Sequence, residues 1–470
     1  MNTPITDASR PLAFFREIAA IPHPSGQTKA IADYLENFAR ERSLDFERDA
    51  YDNILIRKAA TKGYEDRPTV ILQGHTDMVA QKTPDCQKDM EREGLTLRCE
   101  GDFLFAEGTT LGADDGVAVA YALALLDADD IPHPEIEALF TSDEEIGLIG
   151  ATNLALGPLH GNTLINIDSD AEGVFTVGCA GGVRCDITLP LTRVTGKRSA
   201  YAITLGGGEG GHSGVEIDRG RANAIKELGT LLSRLGEIAL VSIHAGDADN
   251  AIPCFAQATV IADAPVESIA RTFEEELSAR YKDTDPKLYV KVESLEATEW
   301  LDGESTKRVL TLLADIPTGI VAMSTAIEGL VETSLNFASI HSEESLHVAV
   351  SVRSSFEEKK EGVVRVLAEI AASVGAEFST RGSYPAWEYL GKGHLEEVMV
   401  KVYEDMYGKT PEVLVIHAGL ECGILSKKIK NLSAVSIGPN TYDIHTPRER
   451  LSLSSFGRVW EYLLEVLKRI

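Results

Sequence analysis

Apolar and polar positions alternate along this chain in two textures. From Pro11 to Ile21, and again from Gln27 to Arg42, apolar residues recur at helical spacing, with Ile31, Tyr34, Leu35 and Phe38 on one face of the second segment. Phe46–Arg57 alternates as strands do. Val70, Ile71 and Leu72 then form a short, wholly apolar run, the pattern of a strand covered on both faces, and His75 and Asp77 follow it at once. Gln81–Glu107 is polar and reads as irregular. Next comes TTLGADDG, Thr109–Gly116, leading into the apolar run VAVAYALALL, which predicts a buried helix with Asp114 and Asp115 at its N-terminus. Paired acids in that place can cap the helix or bind a cation. The strand pattern returns at Ile136–Thr141, before Asp143, Glu144 and Glu145, and again in a strand ending at Asp168.

Three strands thus deliver polar groups at their C-terminal ends, the edge at which open α/β sheets bind ligands. Strands alternating with helices predict a mostly parallel sheet flanked by helices. Past Gly178 the texture changes. VRCDITLPL and SAYAITLGGGEGGHSG alternate with period two, and GRANAIKELGTLLSRLGEI, Pro265–Tyr281 and Glu357–Gly375 read as helices. VSIHAGDADNAIPCFAQATVIAD reads as strand, turn, strand, and Leu346–Arg353 as a strand. This mixture predicts an α+β domain. The first texture resumes with a helix at His394–Met406. VLVIHAGLECGIL and NLSAVSIGPNTYDIHTPRERL then read as strand-then-loop units, and Leu453–Leu467 as a closing helix. The fold expected is α/β, with a first domain made of residues 1–181 and 387–470 and interrupted by a large inserted domain, 182–386.

Length agrees with this division, because 470 residues exceed what one core usually holds. A net charge of -28 makes nucleic acid and anionic membranes poor partners. The six cysteines, Cys86, Cys99, Cys179, Cys185, Cys254 and Cys422, are scattered and lack a CxxC pair. The N-terminus is polar and acidic, without the apolar core of a signal peptide, and no apolar run is long enough to span a membrane. A reducing, cytoplasmic setting is expected. GGGEGG lacks the GK[ST] that a phosphate loop requires.

Residues that follow strands supply the candidate chemistry: His75, Asp77, Asp114, Asp115, Glu144, Glu145, Asp168 and His445. Each alone has an ordinary structural alternative, such as a strand-end histidine or an exposed acid opening a helix. Together, two histidines and a surplus of carboxylates suit divalent ions. There are more carboxylates than one tetrahedral ion needs, and two ions about 3.5–4 Å apart, bridged by one Asp, would use them better.

GHTDMV, LGADDG, TSDEEIG, NIDSD and DIHTP, in that order, resemble the two-metal peptidase family that includes carboxypeptidase G, peptidase T, aminoacylase and the Xaa-His dipeptidases. IPHPSG, VGCAGG, AIPC, SVRSS, IHAGLECG and the long insertion place the Xaa-His dipeptidase branch nearest. The resemblance implies that His75 and Asp168 hold one metal and Glu145 and His445 the other, that Asp114 bridges both, and that a cis peptide joins Asp114 to Asp115. It implies Asp77 as support for His75 and Glu144 as general base to a metal-bridged hydroxide. His212 would stabilise the oxyanion across a homodimer, Arg353 would hold the substrate's terminal carboxylate, and Asn250 and Gly419 would line the substrate site. The insertion would act as lid and dimerisation domain. Zinc is the ion expected, with cobalt or manganese as alternatives, and the substrates are free dipeptides, Xaa-His among them. An N-acyl amino acid deacylase or a carboxypeptidase would use the same ligands. Cys254 departs from the family, standing where a basic residue is expected. His417 reads equally as a wall of the site or a core histidine.

Overall fold

The computed structural model describes residues 8–325 and 327–470. The polar stretch at residues 1–7 that bears on the signal-peptide reading lies outside them. The chain divides into two compact units. One takes in the chain up to Gly178 together with Tyr389–Val415 and Leu420–Ile470; the other is Cys179–Glu388 with Ile416–Gly419.

The first unit is built on an eight-stranded sheet. Its centre is four parallel neighbours in the order Ile136–Thr141, Val70–His75, Thr163–Asn166 and Ser433–Ser436. The wholly apolar runs sit here because both faces of these strands are covered; Val70, Ile71, Leu72, Leu139 and Ile165 are all buried. Phe46–Arg57 resolves into an antiparallel hairpin, Asp45–Arg48 with Ile54–Lys58, on one edge. Val174–Cys179 and Glu412–Ile416 complete the other edge. Parallel neighbours end together, so Val70–His75, Ile136–Thr141 and Thr163–Asn166 present their C-terminal ends side by side. The helix Ala113–Asp127 is apolar on every side and buried almost throughout. That is the pattern of a helix enclosed by other elements.

The first unit departs from expectation in two places. Gln81–Glu107 is not wholly irregular: Leu97–Glu100 and Phe103–Ala106 pair as a hairpin within a small four-stranded sheet. Phe103 and Phe105, two residues apart and so on one face of the second strand, meet edge to face there. Beyond the strand Glu412–Ile416 the chain forms a short helix, Glu421–Lys428, instead of a loop. Its apolar residues Cys422, Ile424 and Leu425 are buried, and Lys427 and Lys428 lie in the last turn, where the helix dipole favours cations.

The second unit is a nine-stranded sheet whose pairings are all antiparallel. Helices Ala224–Arg234, Val266–Arg280, Gly303–Asp315 and Glu357–Ser373 share one apolar core with it, including Leu228, Phe273, Leu312 and Leu367. Mixed α+β architecture is therefore observed.

Candidate active site

The residues predicted from strand ends gather at one edge of the first unit. His75 is the last residue of its strand, not the first of a loop. Glu144 and Glu145 lie three and four residues past Thr141, and Asp168 two past Asn166. The acid pair before the buried helix divides its two possible roles. Asp115 caps: its Oδ1 accepts from Ala118 N at 3.3 Å, while its Oδ2 accepts from His75 N at 3.2 Å. Asp114, joined to it through a cis peptide, faces two histidines. His75 Nε2 lies 3.0 Å from Asp114 Oδ1, and His445 Nε2 lies 3.1 Å from Asp114 Oδ2. His445 Nε2 is also 2.8 Å from Glu145 Oε1, and Asp168 Oδ1 is 3.9 Å from His75 Nε2.

Three groupings of side chains can each hold a metal ion, with ligand atoms within 4.8 Å of one another: His75–Asp114–Asp168, Asp114–Glu145–His445 and His75–Glu144–Glu145. The first two share Asp114, one carboxylate oxygen to each histidine. None of these side chains is a lysine or arginine, and four carboxylates face only two histidines. The donor set is nitrogen and oxygen with excess negative charge, which fits borderline and hard divalent ions.

The shell around these groups is ordered by hydrogen bonds. Asp77 accepts from the backbone N–H of Glu144 at 2.9 Å and of Glu145 at 3.3 Å, and from Ser25 of IPHPSG at 2.8 Å. His75 Nδ1 lies 2.9 Å from the Asp77 carbonyl and 3.5 Å from its carboxylate. Asp77 therefore fixes the loop that carries the two glutamates as well as the His75 ring.

Sequence reasoning missed Glu449 and Glu421. Glu449 accepts from Leu111 N at 2.8 Å, Gly112 N at 3.1 Å and Ala113 N at 2.8 Å, which pins the turn that presents Asp114. Its one sequence signal is a charged residue directly before the short strand Arg450–Ser452. Glu421 is an acid inside an apolar run, which is unusual where a buried face is expected.

Burial and neighbouring charge set the protonation of these groups. Burial alone would lower His75, but Asp114 and Asp77 overcome it and hold the imidazole well above its ordinary value. Asp114, then Glu145, raise His445 to about 10. Burial would raise Asp114, yet His445 and His75 hold it far below the usual carboxylate range. Burial pushes Asp168 well up, with Asp115 and Asp114 adding to it. It pushes Glu144 well up too, His75 opposing and Glu145 adding. In the metal-free protein both histidines are thus protonated at pH 7. An ion binds only the neutral imidazole, so uptake must expel protons, and affinity should rise as pH climbs from 7 toward 10. Adding zinc to weakly buffered protein at pH 7 should release protons; zinc binding with no release would contradict this charge state.

The remaining predicted residues lie in the second unit, where several meet. His212 Nδ1 accepts the backbone N–H groups of Gly214 and Val215, both at 3.1 Å. The neutral ring therefore carries its hydrogen on Nε2. Arg353 donates to Tyr384 Oη at 2.8 Å, and its buried Nε has no partner among the described residues. Gly419 packs so closely on the Tyr384 ring that a Cβ would meet it at 2.7 Å. The Asn250 carbonyl accepts from Ser213 N at 2.7 Å, beside His212. His417 is buried against Ser334 Oγ at 2.7 Å, and burial, then Arg353 and His212, lower it to about 4, so it is neutral. Tyr384 was not foreseen; it joins Arg353 to Gly419.

Residues 71–469 match the profile described as Peptidase family M20/M25/M40. The chain is 36% identical over 467 residues to the cytosol non-specific dipeptidase of Escherichia coli, covering 97% of this chain and 96% of that protein. The crystal structure of aminoacylhistidine dipeptidase from Vibrio alginolyticus superposes with a TM-score of 0.88 at 34% identity, over 99% of this chain and 97% of that one. A tripeptidase from Staphylococcus aureus shares the fold, with a TM-score of 0.58 at 18% identity over 99% and 98% of the two chains. Among the described residues, no helix is long and apolar enough to cross a membrane.

Proposed function

The chain belongs to peptidase family M20/M25/M40, and on that premise we propose that it is a cytosolic dipeptidase working with two divalent ions. One observation carries the reading: Asp114 turns one carboxylate oxygen to His75 and the other to His445, so two sets of potential ligands share it. His75, Asp114 and Asp168 would hold one ion, and Asp114, Glu145 and His445 the other. Zinc suits this set, as do cobalt and manganese. When bound, the ions supply Lewis-acid chemistry, acidifying water and polarising the peptide carbonyl.

Glu144 takes a proton from the attacking water and passes it to the leaving amine. A buried carboxylate pushed up in pKa is a stronger base than an exposed one, which suits this shuttle. Asp77 keeps Glu144 in place through its backbone N–H. His212, with its hydrogen on Nε2, reaches across a dimer into the other chain's site and donates to the carbonyl oxygen as charge develops there. Arg353 binds the substrate's terminal carboxylate, a group its fork fits, and Asn250 and Gly419 line the substrate site. Residues 1–181 and 387–470 form the catalytic domain, and 182–386 a lid through which two chains dimerise. The names of the Escherichia coli and Vibrio relatives support free dipeptides, Xaa-His included, as substrates.

A panel of Xaa-His, β-Ala-His, Gly-Gly and N-acetyl amino acids tests the substrate class. Cleavage of the free dipeptides alone is expected; cleavage of the acylated compounds alone would make the protein a deacylase. Arg353→Ala should lower kcat/KM on free dipeptides about 10–100-fold, the worth of a charge-assisted hydrogen bond of about 1.5–3 kcal/mol. It should leave C-terminally amidated substrates nearly unchanged, and equal losses on both would overturn the assignment.

A further inference from the structure

A hydrogen-bonded chain runs across the sheet of the first unit beneath the proposed ligands. Glu421 is wholly buried at the start of its helix. Its Oε2 accepts from Gln73 Nε2 and from Thr141 Oγ1, each at 2.5 Å. Gln73 Oε1 in turn accepts from Asn166 Nδ2 at 2.6 Å. All three partners are buried. They come from three neighbouring parallel strands, with Gln73 paired to Asn166 and His75 to Thr141 in the ladders.

Position along the strands gives this chain its meaning. Gln73 lies two residues before His75 and so projects from the same face of its strand. Asn166 lies two residues before Asp168, and Thr141 three before Glu144. Every strand that delivers a proposed ligand or the base from this part of the sheet is therefore tied to one carboxyl group. The hydrogen-bond partners of Glu421 are an amide and a hydroxyl, not a cation, so it does not belong to an ion pair. A buried carboxyl without a cation is unfavourable unless hydrogen bonding offsets its desolvation. Two short hydrogen bonds on a single oxygen oppose that cost here.

We infer that Glu421 is a positioning residue: it clamps the ends of three ligand-bearing strands to one another and so sets the spacing of His75, Glu144–Glu145 and Asp168. The inference rests on the two-ion reading of those residues. It also makes a distinction between geometry and charge. Oε2 takes both hydrogen bonds, whereas Oε1 has no partner among the described residues. A glutamine at 421 can place its carbonyl oxygen where Oε2 lies and keep both bonds. Alanine removes both bonds, leaving Gln73 Nε2 only its longer contact with Thr141 Oγ1 at 3.2 Å and Thr141 Oγ1 only the Gly74 carbonyl at 3.3 Å, and Gln73→Leu cuts the link to both Glu421 and Asn166.

Zinc affinity, measured by competition with a chelating dye, should be near wild type in Glu421→Gln. It should fall about 10–100-fold in Glu421→Ala and Gln73→Leu, the usual effect of removing a partner outside the ligands themselves. On Gly-Gly, kcat should fall in the same two variants while KM stays level, because neither residue is proposed to touch substrate. Thermal melting of the metal-free proteins shows whether each variant is folded. If Glu421→Ala does not fold, Gln73→Leu and Glu421→Gln carry the comparison. Wild-type zinc affinity and turnover in Gln73→Leu would overturn the clamp, and so would a loss in Glu421→Gln as large as in Glu421→Ala. Failure of the wild type to cleave any dipeptide would instead strike at the proposed function, and the affinities would still decide the clamp.

Discussion

Glu144→Gln should bind zinc as the wild type does and lose turnover by about 10²–10⁴-fold, the range that a positioned acid–base group contributes. The substitution keeps the shape of the side chain and removes only its capacity to carry a proton. Asp77 holds residue 144 through the backbone N–H, not the side chain, so the loop should stay in place. The two proposed ligand sets, His75–Asp114–Asp168 and Asp114–Glu145–His445, do not include Glu144, so they should stay intact. Parallel kcat and zinc-affinity measurements check this. Retained turnover would remove Glu144 from its role, whereas lost zinc with lost turnover would make it a ligand.

Asp114→Ala should lose zinc and turnover together. It removes one ligand from both sets at once, so zinc affinity should fall by more than the roughly 10–100-fold typical of changes outside the ligand shell, and activity should fall with it. The metal-free protein offers a second readout. Asp114 is the largest influence holding His445 at about 10, and it raises His75 as well. Without it both imidazoles should titrate at lower pH, and the histidine signals in an NMR pH titration would show it. Unchanged histidine titration together with unchanged zinc affinity would mean that Asp114 does not lie between the two.

Much of the candidate site's geometry was legible because its pattern is local. An apolar strand, a turn and one or two polar residues recur at Val70–Asp77, Ile136–Glu145 and Thr163–Asp168, and a parallel sheet then brings the three ends together. The pairing of Asp114 with His445 was legible only through resemblance, since 331 residues separate them. Glu449 was hidden for the same reason: its partners are 336 to 338 residues away, and nothing near it shows that its carboxylate will cap a distant turn.

The second unit was harder to read. Tyr289–Leu301 has charged residues along its exposed length because it is an edge strand, where charge discourages further pairing. Val331–Ser342 is central and mostly buried, yet it carries Glu332, Thr333, Ser334 and Asn336 in place of an apolar run. Those groups are satisfied by Lys359, Ser354, His417 and the Ala251 carbonyl. Buried polar residues with distant partners erase the alternation from which a strand is read.

The most direct measurement strips the protein of metal, returns zinc in measured equivalents and follows hydrolysis of an Xaa-His dipeptide. The two-ion site built on Asp114 predicts no cleavage without zinc and a rise that levels off at two equivalents per chain. Cleavage by the stripped protein, or a plateau at one equivalent, would contradict it.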